Sequence, residues 1–207
     1  MAAGSQSRLA WDRNLAARER HSPKSSTSAA HMGRGRRPRF TGSTRLAINR
    51  HLHRILNGIQ AWAWLPPRPR RTLLRLMGIS IAPDAVVFEH VHFVGEAKIG
   101  PAVFINTGCH FGPQVTIGEN LRMGPGVKVI TESHAIGPPH QRCTIALDLK
   151  PITLGRGCWI GGAAVILPGA HVADGCVIAG GAVVTKPTQP DGLYAGNPAR
   201  RIRDLSA

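Results

Sequence analysis

The chain has 207 residues and a formal net charge of +15, from 26 Lys and Arg against 11 Asp and Glu. Aromatic residues make up only 5% of it, so a folded core has to be aliphatic. No apolar run is long enough to cross a bilayer, no two cysteines have CxxC spacing, and no apolar leader begins the chain, which argues against a membrane span, a thiolate metal centre and secretion. We therefore expect a reducing, cytoplasmic setting.

The positive charge is concentrated in the N-terminal third. Residues 1–72 hold 15 Lys or Arg against 2 acids, whereas residues 73–207 hold 11 against 9. Residues 1–43 are rich in Ser, Ala, Arg and Gly without an apolar period, which predicts a disordered basic arm. Nucleic acid is not favoured as its partner, because the arm has no recognised nucleic-acid module and its aromatics do not interleave with its cations.

Residues 44–79 are predicted to form a helical N-terminal segment. Between residues 44 and 65 the apolar residues at helical spacing are Ile48, Leu52, Ile55, Leu56, Ile59 and Trp62. Such a basic amphipathic helix has two interpretations: it packs on the end of the next domain or a neighbouring subunit, or it makes peripheral contact with an anionic membrane at the inner face. Pro66, Pro67 and Pro69 are expected to end it, and a short apolar turn from Thr72 to Met77 follows.

From residue 80 to residue 189 an apolar residue returns at every sixth position. The series reads Ile81, Val87, Phe93, Ile99, Ile105, Phe111, Ile117, Met123, Val129, Leu154, Ile160, Ile166, Val172, Ile178 and Val184. A second series four positions later is small or aliphatic and includes Ser133. A six-residue period fits neither an amphipathic helix nor an alternating strand, but it predicts an all-β solenoid of about five coils. Residues 190–207 follow as a C-terminal tail.

The period fails once, at a predicted loop spanning residues 135–153. A loop ejected from a repetitive scaffold is a usual place for function. The ninth hexad ends immediately before it, at His134. A neutral imidazole suits the removal of a hydroxyl proton near physiological pH, although a lone histidine is more often a plain surface residue.

Short segments around the ladder carry a family resemblance. They are Phe104–Cys109, Thr131–His134, Cys158–Gly162 and Gly196–Arg200. Together with the ladder and its loop they resemble the hexapeptide-repeat acyltransferases, and more narrowly the galactoside, maltose and polysaccharide O-acetyltransferases, over residues 80–205. The resemblance implies a left-handed parallel β-helix, a homotrimer with active sites between subunits, acetyl-CoA as donor, and a hydroxyl of a sugar or polysaccharide unit as acceptor.

The resemblance also assigns residues to the acceptor side of the site. His134 matches the catalytic base, and Asn106 matches an asparagine near the acceptor, with an inward asparagine ladder as its structural alternative. His110 would line the acceptor pocket, or else it is a surface residue. The acidic acceptor residue of related sugar acetyltransferases is absent, because this chain has Phe111-Gly112-Pro113-Gln114 there.

On the donor side the resemblance points to the second block of hexads and the tail. The expected CoA-binding residues are Trp159, Gly162, Gly180, Thr185, Lys186, Arg200 and Arg203. Trp159 would flank the pantetheine arm, and the small glycines would let backbone groups approach it. The cations would meet the phosphates.

Alternative functions share much of this pattern. An antibiotic or serine acetyltransferase differs only in its acceptor. A gamma-type carbonic anhydrase needs a histidine five residues after His134, where this chain has Pro139, so no metal is expected. Three of the four cysteines, Cys109, Cys158 and Cys176, fall in the small inward series and read as compact core residues. A protein of another class, a membrane-surface or nucleic-acid binding scaffold acting through its basic arm, is the remaining alternative.

Overall fold

The computed structural model describes residues 50–205, and these begin with two short helices. Helix α1 spans Arg50–Gln60 and helix α2 spans Pro67–Leu76. The predicted basic arm at 1–43 and the start of the predicted helix at 44–49 lie outside the described residues. Within the described part of the chain, no helix has the length and apolar character that crossing a bilayer requires.

Helix α1 ends at Gln60, before the predicted end at residue 65, so the prolines expected to end it instead begin α2. Pro66 is the N-cap of α2, with φ −61° and ψ 156°, and Pro67 and Pro69 lie in its first turn. Proline is tolerated there because the amide groups of a first helical turn have no intrahelical acceptor. The predicted apolar turn Thr72–Met77 is therefore the second half of α2 with its C-cap, and Gly78 follows at φ +89°.

Three parallel sheets then wrap around one axis as a triangular solenoid, because successive strands belong to successive sheets. The first sheet contains β1 (Ser80–Ile81), β4 (Ala97–Ile99), β7 (Val115–Ile117), β12 (Ile152–Leu154) and β15 (His171–Val172). The second contains β2 (Val86–Val87), β5 (Phe104–Ile105), β8 (Arg122–Met123), β13 (Trp159–Ile160), β16 (Val177–Ile178), β18 (Gly192–Ala195) and the antiparallel β19 (Arg200–Asp204). The third contains β3 (His92–Phe93), β6 (His110–Phe111), β9 (Lys128–Val129), β14 (Val165–Ile166) and β17 (Val183–Val184).

The core confirms the sixfold period. All the residues of the first apolar series are buried, and the small residues of the second series fill the space between them, with Ser133 as the exception. The solenoid has a layer more than the hexad count predicted, because β18 in the tail pairs in parallel with β16. Cys109, Cys158 and Cys176 are buried as expected, whereas Cys143 is exposed.

The predicted loop is an antiparallel hairpin of β10 (Glu132–Ile136) and β11 (Cys143–Leu149). Its departure from the solenoid comes earlier than the predicted boundary at residue 135, because Thr131 is the last buried residue of that coil. Ser133 therefore does not point into the core but lies exposed on β10. The regular coil resumes at Ile152, which is buried and pairs with Val115.

Helix α1 caps the open edge of the third sheet. The Asn57 side chain donates to the Phe93 carbonyl oxygen at 2.8 Å, and its Oδ1 accepts from the Phe93 N–H at 3.4 Å. Gln60 donates to the Val91 carbonyl oxygen at 2.6 Å. These two buried amides satisfy backbone groups of β3, which has a neighbouring strand on one side only.

Helix α2 caps the other two edges with arginines. The Arg70 guanidinium is 3% exposed and donates to the Val87 carbonyl oxygen of β2 at 2.9 Å. Arg75 donates to the Ile81 carbonyl oxygen of β1 at 3.0 Å. The two helices thus form a cap that closes the first coil, so part of the basic charge of this segment has a structural use.

Candidate active site

Asn106 lies where the chain passes from the second sheet to the third, which we call the 2–3 corner. In successive coils this corner is formed by Asn106, Gly124, Gly161–Gly162 and Ala179–Gly180. The half-buried Asn106 side chain accepts a hydrogen bond from the Thr107 N–H at 2.8 Å. Because glycines follow it in the neighbouring coils, it is not part of an asparagine ladder.

Gly162 and Gly180 lie along the same corner, and Trp159 lies beside it on the second sheet. Trp159 is exposed on the outer face of β13, beside Arg122 of the neighbouring coil. A Cβ on Gly180 would meet only the Gly162 backbone, at 3.2 Å from its oxygen, and neither glycine has a positive φ. The backbone dihedrals do not demand glycine at these positions, but a Cβ on Gly162 would lie 3.3 Å from Pro125, so a side chain on either glycine would crowd the neighbouring coil. The structure therefore brings Asn106 and the first three predicted donor residues to one edge of the solenoid.

Two of the predicted cations meet in a cleft of about 310 Å³ at the C-terminal end. Lys186 and Arg200 line it, and Thr185 is exposed next to Lys186. Arg203 does not line this cleft; it lies opposite Leu193 in the pair of β18 and β19. A cleft with two cations suits a phosphate group.

Arg201 also lines this cleft and was not predicted. It pairs with Asp204 at 2.6 Å and donates to the Pro190 carbonyl oxygen at 3.0 Å. Hydrogen bonds to Tyr194 and then to Asp204 raise its pKa. Arg201 therefore fastens the tail to the solenoid, and no feature of the basic run 200–203 distinguished it from its neighbours.

His134 lies elsewhere, on the hairpin. The hairpin leaves the solenoid between the third sheet and the first, which we call the 3–1 corner. His134 is exposed on β10 opposite Leu147. Within one chain the structure does not bring His134 to the 2–3 corner. The third sheet separates the two corners, and each of its coils takes six residues, or about 20 Å of extended chain.

His110 lies between the two corners, on the outer face of the third sheet. Its ring stacks on that of His92, with centroids 5.4 Å apart and planes 3° from parallel. His53 of α1 lies nearby, and burial, then His110, then His53 lower the pKa of His92. His110 is thus one member of a histidine group beneath α1, with Lys128 as its next neighbour along the sheet.

A second cleft, also of about 310 Å³, opens beside the root of the hairpin. Its polar lining comes from Ser80, Glu96, Lys98, Gln114 and Thr116. Only Gln114 of these stands out in the sequence, because residues 18 positions apart become neighbours only once the coil register is known: Lys98 pairs with Thr116, for example. Glu96 adjoins Gln114, whose N–H donates to the Glu96 carbonyl oxygen at 2.8 Å. We call this the polar cleft.

The described residues contain no group of three or more His, Cys, Asp or Glu side chains arranged to hold a metal ion. Burial raises the pKa values of Cys109 and Cys158 to about 11, so these thiols stay protonated in the core. Neither is placed as a nucleophile.

Comparisons with known proteins agree with this architecture. The profile of the bacterial transferase hexapeptide family (six repeats) matches residues 96–131 and 151–186, the two blocks on either side of the hairpin. The galactoside O-acetyltransferase of Escherichia coli is 32% identical over 143 residues, covering 66% of this chain and 69% of that protein. The chain belongs to the hexapeptide-repeat transferase family. Its solenoid is the left-handed β-helix of that family, as predicted.

Further relatives carry the same kind of name. A hexapeptide-repeat acetyltransferase of Vibrio cholerae, solved in complex with acetyl coenzyme A, superposes with a TM-score of 0.67 at 29% identity, covering 76% of this chain and 87% of that one. A Schizosaccharomyces pombe protein provisionally named an acetyltransferase is 36% identical over 118 residues, covering 56% of this chain and 54% of that protein. The chain thus spans about half the length of that relative.

Proposed function

We propose that this protein transfers an acetyl group from acetyl-CoA to a hydroxyl of a sugar or polysaccharide unit, with His134 as the general base. The observation that carries the proposal is that Asn106, Gly162 and Gly180 line one corner of the fold of this family, with Trp159 exposed beside it. The Vibrio cholerae relative was solved with acetyl-CoA, and the Escherichia coli relative is a galactoside O-acetyltransferase. The cleft formed by Lys186 and Arg200 supports a phosphate-bearing donor.

The separation of His134 from the 2–3 corner supports a homotrimer with active sites between subunits. In a cyclic trimer the hairpin of one subunit can reach the 2–3 corner of the next. The hairpin is suited to such an interface, because the apolar side chains of Ile136, Ile145 and Leu147 are exposed in the single chain, Ile145 to 91%. A subunit contact that covers them would also order His134.

The chemistry follows from that juxtaposition. His134 accepts the proton of the acceptor hydroxyl as its oxygen attacks the thioester carbonyl, and the protonated imidazole returns the proton to the departing CoA thiolate. Holding the hydroxyl and thioester together supplies most of the remaining acceleration, with no covalent enzyme intermediate. Asn106 has a side-chain amide suited to a sugar hydroxyl.

The polar cleft supports a carbohydrate acceptor. A carboxylate, an ammonium group, an amide and hydroxyls in one cleft match the many donors and acceptors of a sugar. Glu96 provides a carboxylate at the corner where the chain lacks the acidic residue of related sugar acetyltransferases. An apolar antibiotic would leave these groups without partners.

The test is a thiol-release assay with acetyl-CoA across sugars, polysaccharide units, serine and antibiotics. We expect turnover with a carbohydrate, and a loss of at least about 100-fold in kcat for His134→Ala. His140→Ala is the matched control, because His140 is also exposed on the hairpin but lies in its turn. Full activity of His134→Ala, or an equal loss in the control, would refute the role of His134. Turnover confined to serine or an antibiotic would refute the acceptor.

A further inference from the structure

The outer surface of the cap carries large apolar side chains that the described chain leaves uncovered. Leu52, Ile55, Trp62 and Trp64 are 47%, 58%, 49% and 73% exposed. The two tryptophan rings are adjacent, with centroids 5.1 Å apart. We call these four residues the cap patch.

Helix α1 presents this patch because only part of its apolar stripe packs on the solenoid: Leu56 contacts the core, whereas Leu52 and Ile55 do not. Asn57 and Gln60, one turn apart, face the solenoid and donate to carbonyl oxygens at the edge of the third sheet. Leu52 and Ile55 are one turn apart on the opposite side of the helix and therefore face outward. An amphipathic helix of a water-soluble protein normally buries its apolar stripe, so this orientation indicates a second surface that receives it.

The patch is held rigidly in place. The His90 N–H of the solenoid donates to the Ala61 carbonyl oxygen at 2.8 Å, immediately before Trp62. Arg70 donates to the Trp62 carbonyl oxygen at 2.7 Å and to that of Leu65 at 2.9 Å. The loop that carries both tryptophans is thus fixed at each end, and little ordering entropy remains to oppose binding.

The charge around the patch identifies the kind of surface. Residues 50–77 contain no Asp or Glu and carry six arginines, of which Arg70, Arg71 and Arg75 donate to backbone carbonyl oxygens. Arg54 and Arg68 are exposed. Tryptophan prefers the boundary between water and acyl chains, and arginine is attracted to anionic headgroups. We propose that the cap patch docks this protein on an anionic lipid bilayer, with Leu52, Ile55, Trp62 and Trp64 at the level of the headgroups.

This proposal goes beyond acetyl transfer and does not depend on it. If the protein forms the homotrimer proposed above, the three cap patches lie at the same height along the symmetry axis. They could then engage one flat membrane together, and weak single contacts would add up to firm attachment. The proposed sugar acceptor would be met at that surface.

The test is flotation of the full-length protein with vesicles of phosphatidylcholine alone and of equal parts phosphatidylcholine and phosphatidylglycerol. The basic residues before α1 will also attract anionic lipid, so binding is measured at about 0.1 M and about 0.5 M NaCl. At the higher concentration exposed charges are largely screened, whereas apolar contacts are not. Two variants remove the patch: Leu52→Gln with Ile55→Gln, and Trp62→Ser with Trp64→Ser. The matched control is Ile202→Gln, which removes an apolar side chain that is similarly exposed on β19.

We expect binding to the anionic vesicles that persists in part at high salt. Each patch variant should need at least about tenfold more lipid for half-binding at high salt, with an unchanged melting midpoint, and Ile202→Gln should bind like the original chain. Absence of vesicle binding, complete loss at high salt, or patch variants that bind like the control would each overturn the proposal. Absence of vesicle binding would indicate that the cap patch binds a protein partner instead.

Discussion

Replacing Arg70 with methionine tests whether the cap is held by backbone hydrogen bonds to the solenoid. Arg70→Met keeps most of the apolar stem and its packing but removes the guanidinium. Three carbonyl oxygens lose a hydrogen bond from Arg70: those of Val87, Trp62 and Leu65, at 2.9, 2.7 and 2.9 Å, although the Trp62 oxygen still accepts from the Leu65 N–H at 3.2 Å. Only the bond to Val87 is fully buried, so water can partly replace the other two.

The expected cost follows from these contacts. A buried acceptor left without a donor costs about 1–3 kcal/mol, and a half-buried one costs less. The loss is partly offset because the guanidinium no longer has to be desolvated; burial already lowers the pKa of Arg70, against the opposing effect of Glu89. We therefore expect the free energy of unfolding to fall by about 2–5 kcal/mol.

Urea denaturation followed by circular dichroism, at a fixed protein concentration, measures this difference. Two neighbouring arginines are matched controls. Arg71 makes a single bond of 3.3 Å to the Ala85 carbonyl oxygen, so Arg71→Met should cost less than about 1 kcal/mol. Arg68 is exposed, and Arg68→Met should change little. If Arg70→Met and Arg68→Met unfold at the same urea concentration, the cap does not depend on Arg70.

Two further predictions concern the cap and the corners. Acidification from pH 7 to 5 should lower the free energy of unfolding. Burial lowers the pKa of His53, and burial, His110 and His53 lower that of His92. The stability that comes from these neutral histidines is present above pH 6.5 and is lost as the pH falls through the lowered pKa values. Urea midpoints of a variant with His53→Leu and His92→Gln should depend less on pH; an unchanged dependence would contradict this. Gly124→Ala should lower the free energy of unfolding by about 1–3 kcal/mol, because its Cβ would lie 2.6 Å from the Gly162 nitrogen. Gly58→Ala in α1 should raise it by about 0.5–1 kcal/mol, because the new Cβ meets open space. Thermal melts that shift both midpoints in the same direction would refute the contrast.

The solenoid was predictable because its core depends on a single repeated requirement. Every inward position needs an apolar residue of limited size, and the sequence shows that requirement directly from Ile81 to Val184. The start of the hairpin was not predictable to the residue, because Ser133 is small enough to satisfy the inward pattern although it lies outside the coil. The number of hexads did not predict the additional layer at β18, because residues 185–191, which precede it, break the six-residue spacing.

Candidate site residues could be named from the sequence, and their roles stay predictions, but their arrangement could not be derived from it. The spacing of Asn106, Trp159, Gly162 and Gly180 did not show that they lie at or beside one corner, since that depends on which residues of different coils stack. The polar cleft was missed for the same reason. His134 was expected at the end of the last hexad before the interruption, but it lies within the hairpin, on β10, and its distance from the 2–3 corner follows only from the triangular cross-section.

The orientation of α1 shows why a helical wheel could not choose between the two interpretations of the basic segment. The wheel identifies the apolar stripe, and apolar burial alone would turn that stripe inward at about 1.5–3 kcal/mol for each large side chain. The first coil, however, presents unpaired strand edges, and each buried backbone group left unpaired costs a similar amount. Asn57 and Gln60 satisfy such groups only if the polar side of α1 faces the solenoid. Capping the edge and exposing Leu52 and Ile55 are therefore one choice: Leu56 still packs on the core, but the outer part of the apolar stripe is left for another surface.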